Sequence, residues 1–329
     1  MTQSARGRLW ETSAMSRRSS SRARRRVPTL LAFLLFGALL ANLSTPRPHP
    51  DRPPNASPRP TPADSSGPPR ALPGGRSKVF DGHFLVAYYG SPQSTRLGVL
   101  GESTPDAMTA RLRRAGRPFA TKDRKVQPVY ELIVTVVDAR PGRGRDYSHD
   151  IPKRYVRQYI RAAHRHGALV ILDLQPGRSD FLTVAKRWEW ALKDPWVGIA
   201  LDPEWRMRKH QIPARVVGSV DAREINRTSA WLAALVRRER LPEKVFMLHQ
   251  FKPSMIRRIH AVKPRPGLAM VQHIDGFGPP RAKLATYHRV ARPGQFTMGY
   301  KLFYDEDRPR QKPADVLRIR PKVRLVTFQ

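Results

Sequence analysis

The sequence predicts an α/β fold: a (β/α)8 barrel of the TIM type that lacks the last helix, over residues 79–329. Eight short apolar runs alternate with helical patterns over about 250 residues, which is the size and rhythm of such a barrel. The fourth run, residues 196–205, changes from small to acidic side chains along one face. No Gly-rich phosphate loop follows the first run, as it usually would in an open doubly wound sheet.

Each predicted strand is a short apolar run bounded by polar or turn-forming residues. The eight runs are His83–Gly90, Val129–Val137, Ala168–Gln175, Val197–Glu204, Val245–Phe251, Leu268–Asp275, Phe296–Phe303 and Val323–Gln329. Helical patterns with one apolar face lie between them, at residues 156–163, 181–192 and 225–236. Asp221 with Glu224 has the pattern of a capping box and predicts the start of the third helix.

Three segments precede the predicted barrel. Residues 1–26 are basic, and residues 27–43 form an uncharged apolar run. This order is typical of a signal peptide or an N-terminal transmembrane anchor. Residues 44–78 are rich in Pro, Ser and Gly, which predicts a disordered, semi-rigid linker. We therefore expect an extracytoplasmic domain, either secreted or anchored in the membrane through residues 27–43, with residues 1–26 in the cytoplasm.

The composition limits the classes of function. The net charge is +35 and the chain has no cysteine, which excludes disulfides, thiolate metal sites and a Cys nucleophile. A basic surface can bind nucleic acid. However, no RNA-binding signature or zinc-finger spacing is present, and the basic residues do not alternate with aromatic ones. We expect a monomer with no nucleic-acid partner and no cofactor, whose basic surface is solvated or faces anionic envelope polymers.

The run at residues 196–205 carries the most informative pattern. Alternate residues from Val197 are bulky and branched, whereas those from Gly198 are small and then acidic, ending in Asp202 and Glu204. In a parallel barrel the bulky face packs under the helices, and small residues fit the crowded interior. Both carboxylates would then stand at the C-terminal end of the strand, where these barrels place their chemistry.

Polar and aromatic side chains mark the C-terminal ends of most other predicted strands. We expect a substrate-binding rim formed by Tyr89, Asp173, Gln175, Trp205, His249, Gln250, Gln272, His273, Asp275, Lys301, Tyr304 and Asp305. Aromatic side chains suit the apolar faces of sugar rings, and side-chain amides suit sugar hydroxyls. Each residue also has a purely structural interpretation, as a helix cap, a packing histidine or part of a solvated loop.

Asp202 and Glu204 are the predicted catalytic residues. Two residues apart on one strand, their Cα atoms would be separated by about 6.6 Å. Like charges at that range raise the pKa of one carboxyl and leave its partner ionised. Glycoside hydrolysis needs such a pair. We expect a glycosidase-like hydrolase that acts on a carbohydrate polymer, with Glu204 as general acid/base and Asp202 as its partner.

The D-x-E of Asp202 and Glu204 resembles the tail of the chitinase-type motif D-x-x-D-x-D-x-E, whose two earlier acids fall on Val197 and Ala200 here. In that family the Glu is the acid, and the Asp orients the acetamido group of the substrate. Muramidases of the Chalaropsis type also carry a D-x-E on a barrel strand. Several segments resemble secreted actinobacterial proteins with a glycoside-hydrolase-like barrel, namely Tyr88–Gly90, DPEWR, GSVDAREIN, HQF, HIDGFG, KLFYDED and LVTFQ. This resemblance covers nearly the whole domain but implies no activity.

Two other functions stay open. His249 and His273 stand where amidohydrolase-type barrels place metal ligands, which would suit a metal-dependent hydrolase. The H-x-H that follows the first strand in those barrels is absent here, and the eighth strand ends without an Asp. The other alternative is a non-catalytic barrel that binds glycan, because a lectin-like site does not need two acids in close contact.

Overall fold

A computed structural model describes residues 70–142 and 144–329. The basic segment 1–26, the apolar run 27–43 and most of the linker lie outside the described residues. Among the helices of the described part, none has both the length and the apolar composition to cross a membrane. The structure therefore bears on the predicted barrel and on the end of the linker that precedes it.

Eight parallel strands close into a barrel, which confirms the predicted fold class. In chain order they are β1 (His83–Gly90), β2 (Lys125–Val137), β3 (Leu169–Leu174), β4 (Val197–Leu201), β5 (Lys244–Gln250), β6 (Leu268–Ile274), β7 (Thr297–Leu302) and β8 (Val323–Phe328). Each strand pairs with the next along the chain. The barrel closes because β1 pairs in parallel with both β2 and β8.

Helices cover the outside of the barrel. They are α1 (Pro105–Gly116), α2 (Lys153–His166), α3 (Phe181–Arg187), α4 (Glu189–Leu192), α5 (Ala222–Arg238), α6 (Pro280–Val290) and α7 (Pro313–Arg318). The connection between β5 and β6 instead consists of two 3₁₀ turns around the short strand Ile256–Arg257. That strand pairs with Val220–Asp221, and Ser148–Asp150 pairs antiparallel with the end of β2.

The predicted capping box at the start of α5 is half correct. Asp221 caps the helix, because its carboxylate accepts a hydrogen bond from the Arg223 N–H at 2.9 Å. Glu224 does not return to the cap. Its carboxylate accepts hydrogen bonds from the Phe181 N–H and from the Arg206 guanidinium, so it joins α3 to the loop after β4. Glu224 therefore binds donors of two other segments instead of the backbone N–H of Asp221.

The predicted alternation of side chains along β4 matches the packing of the barrel. Ile199 and Leu201 pack outward with the helices, whereas Ala200 belongs to the smaller apolar cluster inside the barrel. Only glycine fits at position 198, because a Cβ atom there would lie 2.7 Å from the Val245 carbonyl oxygen. Small residues thus let β5 approach β4 closely.

The predicted end of the fourth strand is wrong, because β4 stops at Leu201 rather than at Glu204. The ring of Pro203 fixes the backbone and removes an N–H donor, which ends the strand ladder. Pro203–Trp205 forms a 3₁₀ turn whose N-cap is Asp202. Asp202 and Glu204 therefore do not stand two residues apart on an extended strand, and the spacing expected for them does not apply.

The compact domain begins before Val79, the predicted boundary. Leu72 is buried in the interior apolar cluster together with Val79. The Ala71 carbonyl accepts a hydrogen bond from the Trp196 indole at 2.9 Å, and the Arg70 guanidinium donates to the Lys193 carbonyl. This end of the predicted linker closes the N-terminal end of the barrel.

Leu72→Ala in the full-length chain should lower the free energy of unfolding by about 2–5 kcal/mol, because it leaves a cavity in the interior cluster. Urea denaturation measures the change. Val216→Ala is the control, since this side chain is 42% exposed and its truncation should change stability by less than about 0.5 kcal/mol. Equal effects of the two substitutions would show that residues 70–78 are not part of the domain core.

Candidate active site at the C-terminal end of the barrel

A layer of polar side chains fills the barrel above the interior apolar cluster. Every strand, or the residue that directly follows it, contributes one member. The layer consists of Tyr89, Glu131, Asp173, Asp202, His249, His273, Lys301 and Thr327, all of them buried. Catalytic residues of (β/α)8 enzymes come from this end of the strands. We therefore treat the layer and the side chains above it as the candidate active site.

His249 lies at the centre of the layer between carboxylates. Its Nδ1 atom is 3.0 Å from Asp275 Oδ2, and its Nε2 atom is 2.9 Å from Glu131 Oε1 and 3.8 Å from Asp173 Oδ1. Burial alone would lower the pKa of His249, but the hydrogen bond with Asp275 and the close contact and charge of Glu131 raise it well above its usual value. The ring is therefore an imidazolium that bridges two carboxylates.

Glu131 is the fully buried anion of this arrangement. Burial would raise its pKa, but the contact and charge of His249, with further positive charge from Lys301, lower the pKa to about 2. The Thr327 hydroxyl donates a hydrogen bond of 2.7 Å to the other carboxylate oxygen, Oε2. Glu131 is thus ionised and held from two sides.

Tyr89 and Asp173 form the neighbouring part of the layer. The Tyr89 hydroxyl donates to Asp173 Oδ2 at 2.8 Å and accepts a hydrogen bond from Gln175 Nε2 at 3.3 Å. The Lys301 ammonium lies 3.6 Å from the centre of the Tyr89 ring, which is a cation–π contact. Burial raises the pKa of Asp173 to about 6, against the opposing charge of His249.

Glu204 and Asp275 have pKa values displaced in opposite directions. Glu204 is half-buried, and burial together with the charge of Asp275 raises its pKa to about 7. Burial would also raise the pKa of Asp275, but the hydrogen bond and charge of His249 lower it below its usual value. Near neutral pH, Glu204 can hold a proton beside an ionised Asp275, and such a difference identifies an acid and a base in many active sites.

Asp202 lies beneath Glu204 and is buried. Its Oδ1 atom accepts a hydrogen bond from the Glu204 N–H at 3.2 Å. Burial and the nearby charge of Asp173 raise the pKa of Asp202 well above its usual value. Asp202 therefore holds the turn that carries Glu204, and its pKa is displaced upward like that of Glu204, whereas the sequence predicted an ionised partner.

The structure brings most of the predicted rim residues together, but not all of them. Those that meet are Tyr89, Asp173, Gln175, Asp202, Glu204, His249, His273, Asp275 and Lys301. Trp205 is half-buried in the turn after Glu204. Asp305 is exposed, and Tyr304 stacks on Phe328 towards α1.

Gln250 and Gln272 lie on the outer face of their strands, opposite His249 and His273. The Gln272 amide donates hydrogen bonds to Gln250 Oε1 at 2.7 Å and to the Val290 carbonyl at 2.9 Å. These bonds join β5, β6 and the end of α6. The two amides therefore do not face the interior layer, because they occupy the other parity of their strands.

Sequence reasoning missed Glu131 and Thr327. Glu131 is the single charged residue of the run YELIVTVV at residues 130–137, which is otherwise apolar except for Thr135. An unpaired carboxylate is very costly to bury. A Glu within a strand that is apolar on both faces thus indicates a buried partner of opposite charge, and this signal was available in the sequence.

His249, His273 and Asp275 each place a potential metal-ligand atom within 4.8 Å of the others. His273 is fully buried, and neither ring nitrogen has a hydrogen-bond partner in the described part of the chain. Burial lowers the pKa of His273 to about 3, so its ring is neutral. A metal ion needs neutral imidazole, whereas both nitrogens of His249 face carboxylates. The surroundings of His249 fit an imidazolium better than a metal ligand.

Fold and site together define the class as a (β/α)8 barrel with carboxylates, histidines and a lysine at its C-terminal end. Comparison of the chain with protein-family models and with curated proteins finds no match. The function is therefore argued from the geometry and electrostatics of the site.

Glu131→Gln should lower the free energy of unfolding at pH 7 by about 3–5 kcal/mol, because it leaves the buried His249 imidazolium with one partner fewer. The matched control is Glu102→Gln, which breaks an exposed pair with Arg111 and should cost no more than about 1 kcal/mol. Chemical denaturation compares the two variants with the parent.

The loss of unfolding free energy in Glu131→Gln should also depend on pH. Its pKa falls from 4.5 to about 2 on folding, so its stabilisation is present above pH 4.5 and is lost as the pH falls towards 2. The difference in free energy of unfolding between the parent and Glu131→Gln should therefore become smaller as the pH falls from 4.5 towards 2. A small difference that does not change with pH would contradict the buried ion pair.

Proposed function

We propose that the domain is a glycosidase-like hydrolase that acts on a carbohydrate polymer of the cell envelope or the extracellular space. Glu204 is its general acid/base. The observation that supports this most directly is the opposite displacement of two pKa values, upward to about 7 for Glu204 and downward for Asp275. Glycoside hydrolysis uses one protonated and one ionised carboxyl group on either side of the scissile bond.

In the proposed reaction, Glu204 donates its proton to the glycosidic oxygen of the leaving group. Asp275 supplies negative charge at the other side of the bond, either to a water molecule or to the sugar carbon itself. His249 keeps Asp275 ionised, and Glu131 holds His249 in place. Asp202 supports the turn that carries Glu204. Relative to the pair expected from the sequence, Asp275 takes the role of ionised partner.

We propose an extracytoplasmic location for the domain, secreted or anchored through the apolar run of residues 27–43. The supporting observations are the basic residues before that run and the Pro-rich linker after it. A Pro-rich linker keeps a domain away from the membrane surface, which suits an enzyme that acts on a polymer. The domain is proposed to work as a monomer without a cofactor.

Glu204→Gln should reduce kcat/KM on peptidoglycan or chitin oligomers by about 10²–10⁴, because it removes the transferable proton. Stability should not fall and can rise, since ionisation of Glu204 above its unfolded pKa of 4.5 destabilises the parent. The kcat/KM of the parent should decline above about pH 7, because Glu204 then loses the proton that it would transfer. Activity assays and thermal melts check both expectations, with Glu102→Gln as the control.

A Glu204→Gln variant that turns over substrate like the parent, or that melts well below it, would contradict the proposed role. A structural Glu204 would satisfy buried donors, and its substitution would cost about 1–3 kcal/mol. Glu102→Gln should retain both the activity and the melting temperature of the parent, because Glu102 lies at an exposed ion pair.

A metal-dependent hydrolase is the second candidate, and the unpartnered ring nitrogens of His273 are the observation that favours it. Under the function proposed here, dialysis against EDTA should leave turnover of the same oligomers unchanged, because no step uses a metal ion. Loss of turnover that is restored by Zn²⁺ or Mn²⁺ would favour the metal-dependent reaction instead. Dialysis without chelator is the control.

A further inference from the structure

A basic cleft lies on the outside of the barrel, where β5 and β6 are joined without an α-helix. We name it the arginine cleft. Its volume is about 200 Å³. Its basic lining residues are Arg258, His260, Arg289 and Arg292, and its apolar lining includes Ile256 and Val290. Among the described residues, no Asp or Glu lines it.

The three arginines of the cleft differ in how they are held. The Arg258 guanidinium donates to Asp221 Oδ1 at 2.6 Å, so this side chain is fixed. Arg289 and Arg292 are exposed, and within residues 70–142 and 144–329 neither guanidinium has a hydrogen-bond or ion-pair partner. One arginine is therefore positioned in advance, and two can still bind a ligand.

Two glutamines that do not face the interior layer support the cleft, and one of them, Gln250, is part of its lining. Gln272 Oε1 accepts a hydrogen bond from the Arg292 N–H at 2.8 Å, and its amide donates to the Val290 carbonyl. Gln250 lines the cleft and is bonded to Gln272. These bonds fix the backbone that carries Arg292, so at least this part of the cleft is pre-formed.

The chemistry of the cleft favours an oxyanion. Guanidinium groups bind carboxylate and phosphate with paired hydrogen bonds. Asp221 supplies a counter-charge to Arg258, whereas Arg289 and Arg292 have none among the described residues, and a bound anion would supply one. The high positive charge of the chain brings polyanions to its surface, and the cleft provides a concave place for one of their groups.

The size and the apolar lining narrow the class of ligand. Pockets for whole small molecules usually have volumes of about 300–1,000 Å³, so the arginine cleft fits one group of a longer chain better. Among the described residues no Phe, Tyr or Trp lines it and His260 supplies its one aromatic ring, whereas single-stranded nucleic acid is held by successive bases stacked on several aromatic rings. A polymer without bases therefore suits the cleft better than nucleic acid.

We propose that the arginine cleft binds the phosphate or carboxylate groups of an anionic, base-free polymer, at a place separate from Glu204. The cleft lies on the outer face of β5 and β6, and the interior layer lies on their inner face. A polymer bound there would keep the domain close to an anionic matrix, whatever reaction the interior site performs.

Binding measurements on the purified full-length chain test the proposal. The probes are polyphosphate, polygalacturonate and a single-stranded oligothymidylate, titrated at one fixed ionic strength. The cleft variant is Arg289→Gln with Arg292→Gln. The matched control is Arg114→Gln with Arg281→Gln, which removes the same charge from exposed positions that lie outside the cleft.

We expect polyphosphate, polygalacturonate or both to bind, and the stronger of the two identifies the oxyanion. The Kd should rise about tenfold or more per arginine in the cleft variant and change little in the control. Equal weakening in both variants would show attraction by overall charge only and would overturn the proposal. The proposal would also be overturned if neither polymer binds. The same holds if oligothymidylate binds most tightly and its Kd rises as much in the cleft variant. Glu204 is intact throughout, so failure here leaves the proposed hydrolysis untouched.

Discussion

A buried imidazolium between two carboxylates determines the interior of this barrel. Without the positive charge of His249, Glu131 and Asp275 would each face burial as an unpaired anion, which costs several kcal/mol per group. The same charge lowers the pKa of Asp275 and so keeps that carboxylate ionised below Glu204. Burial is the largest cause of the raised pKa of Glu204, and the ionised Asp275 of this ion pair raises it further. Stability of the barrel and the proposed chemistry rest on the same side chain.

The inner and outer faces of β5 and β6 serve different purposes. The inner face carries His249 and His273 into the polar layer, whereas the outer face carries Gln250, which lines the arginine cleft, and Gln272, which is bonded to it. Because side chains alternate along a strand, adjacent residues belong to separate sites. The Glu204 carboxyl also lowers the stability of the fold, because its ionisation is opposed by burial and by the charge of Asp275. Active sites often reduce stability in this way.

Much of the fold could be predicted because strands of a barrel leave a local signal. The eight apolar runs gave all eight strands, and the alternation from Val197 placed Ala200 inside. The partner of Glu204 could not be predicted in this way. Asp202 is its neighbour in sequence, but Pro203 ends β4 and turns the chain, whereas closure of the barrel brings Asp275, from the end of β6, to where its charge acts on Glu204. The spacing of residues along one strand cannot predict which residues of another strand lie near them.

The most direct test is a titration of the Glu204 carboxyl by ¹³C NMR, in the parent chain and in Asp275→Asn. The arrangement described here predicts a midpoint near 7 in the parent. It also predicts a lower midpoint in Asp275→Asn, because the largest repulsive charge is gone while Glu204 stays half-buried. A midpoint near the usual 4.5 in the parent, unchanged by the substitution, would contradict the pairing of Glu204 with Asp275.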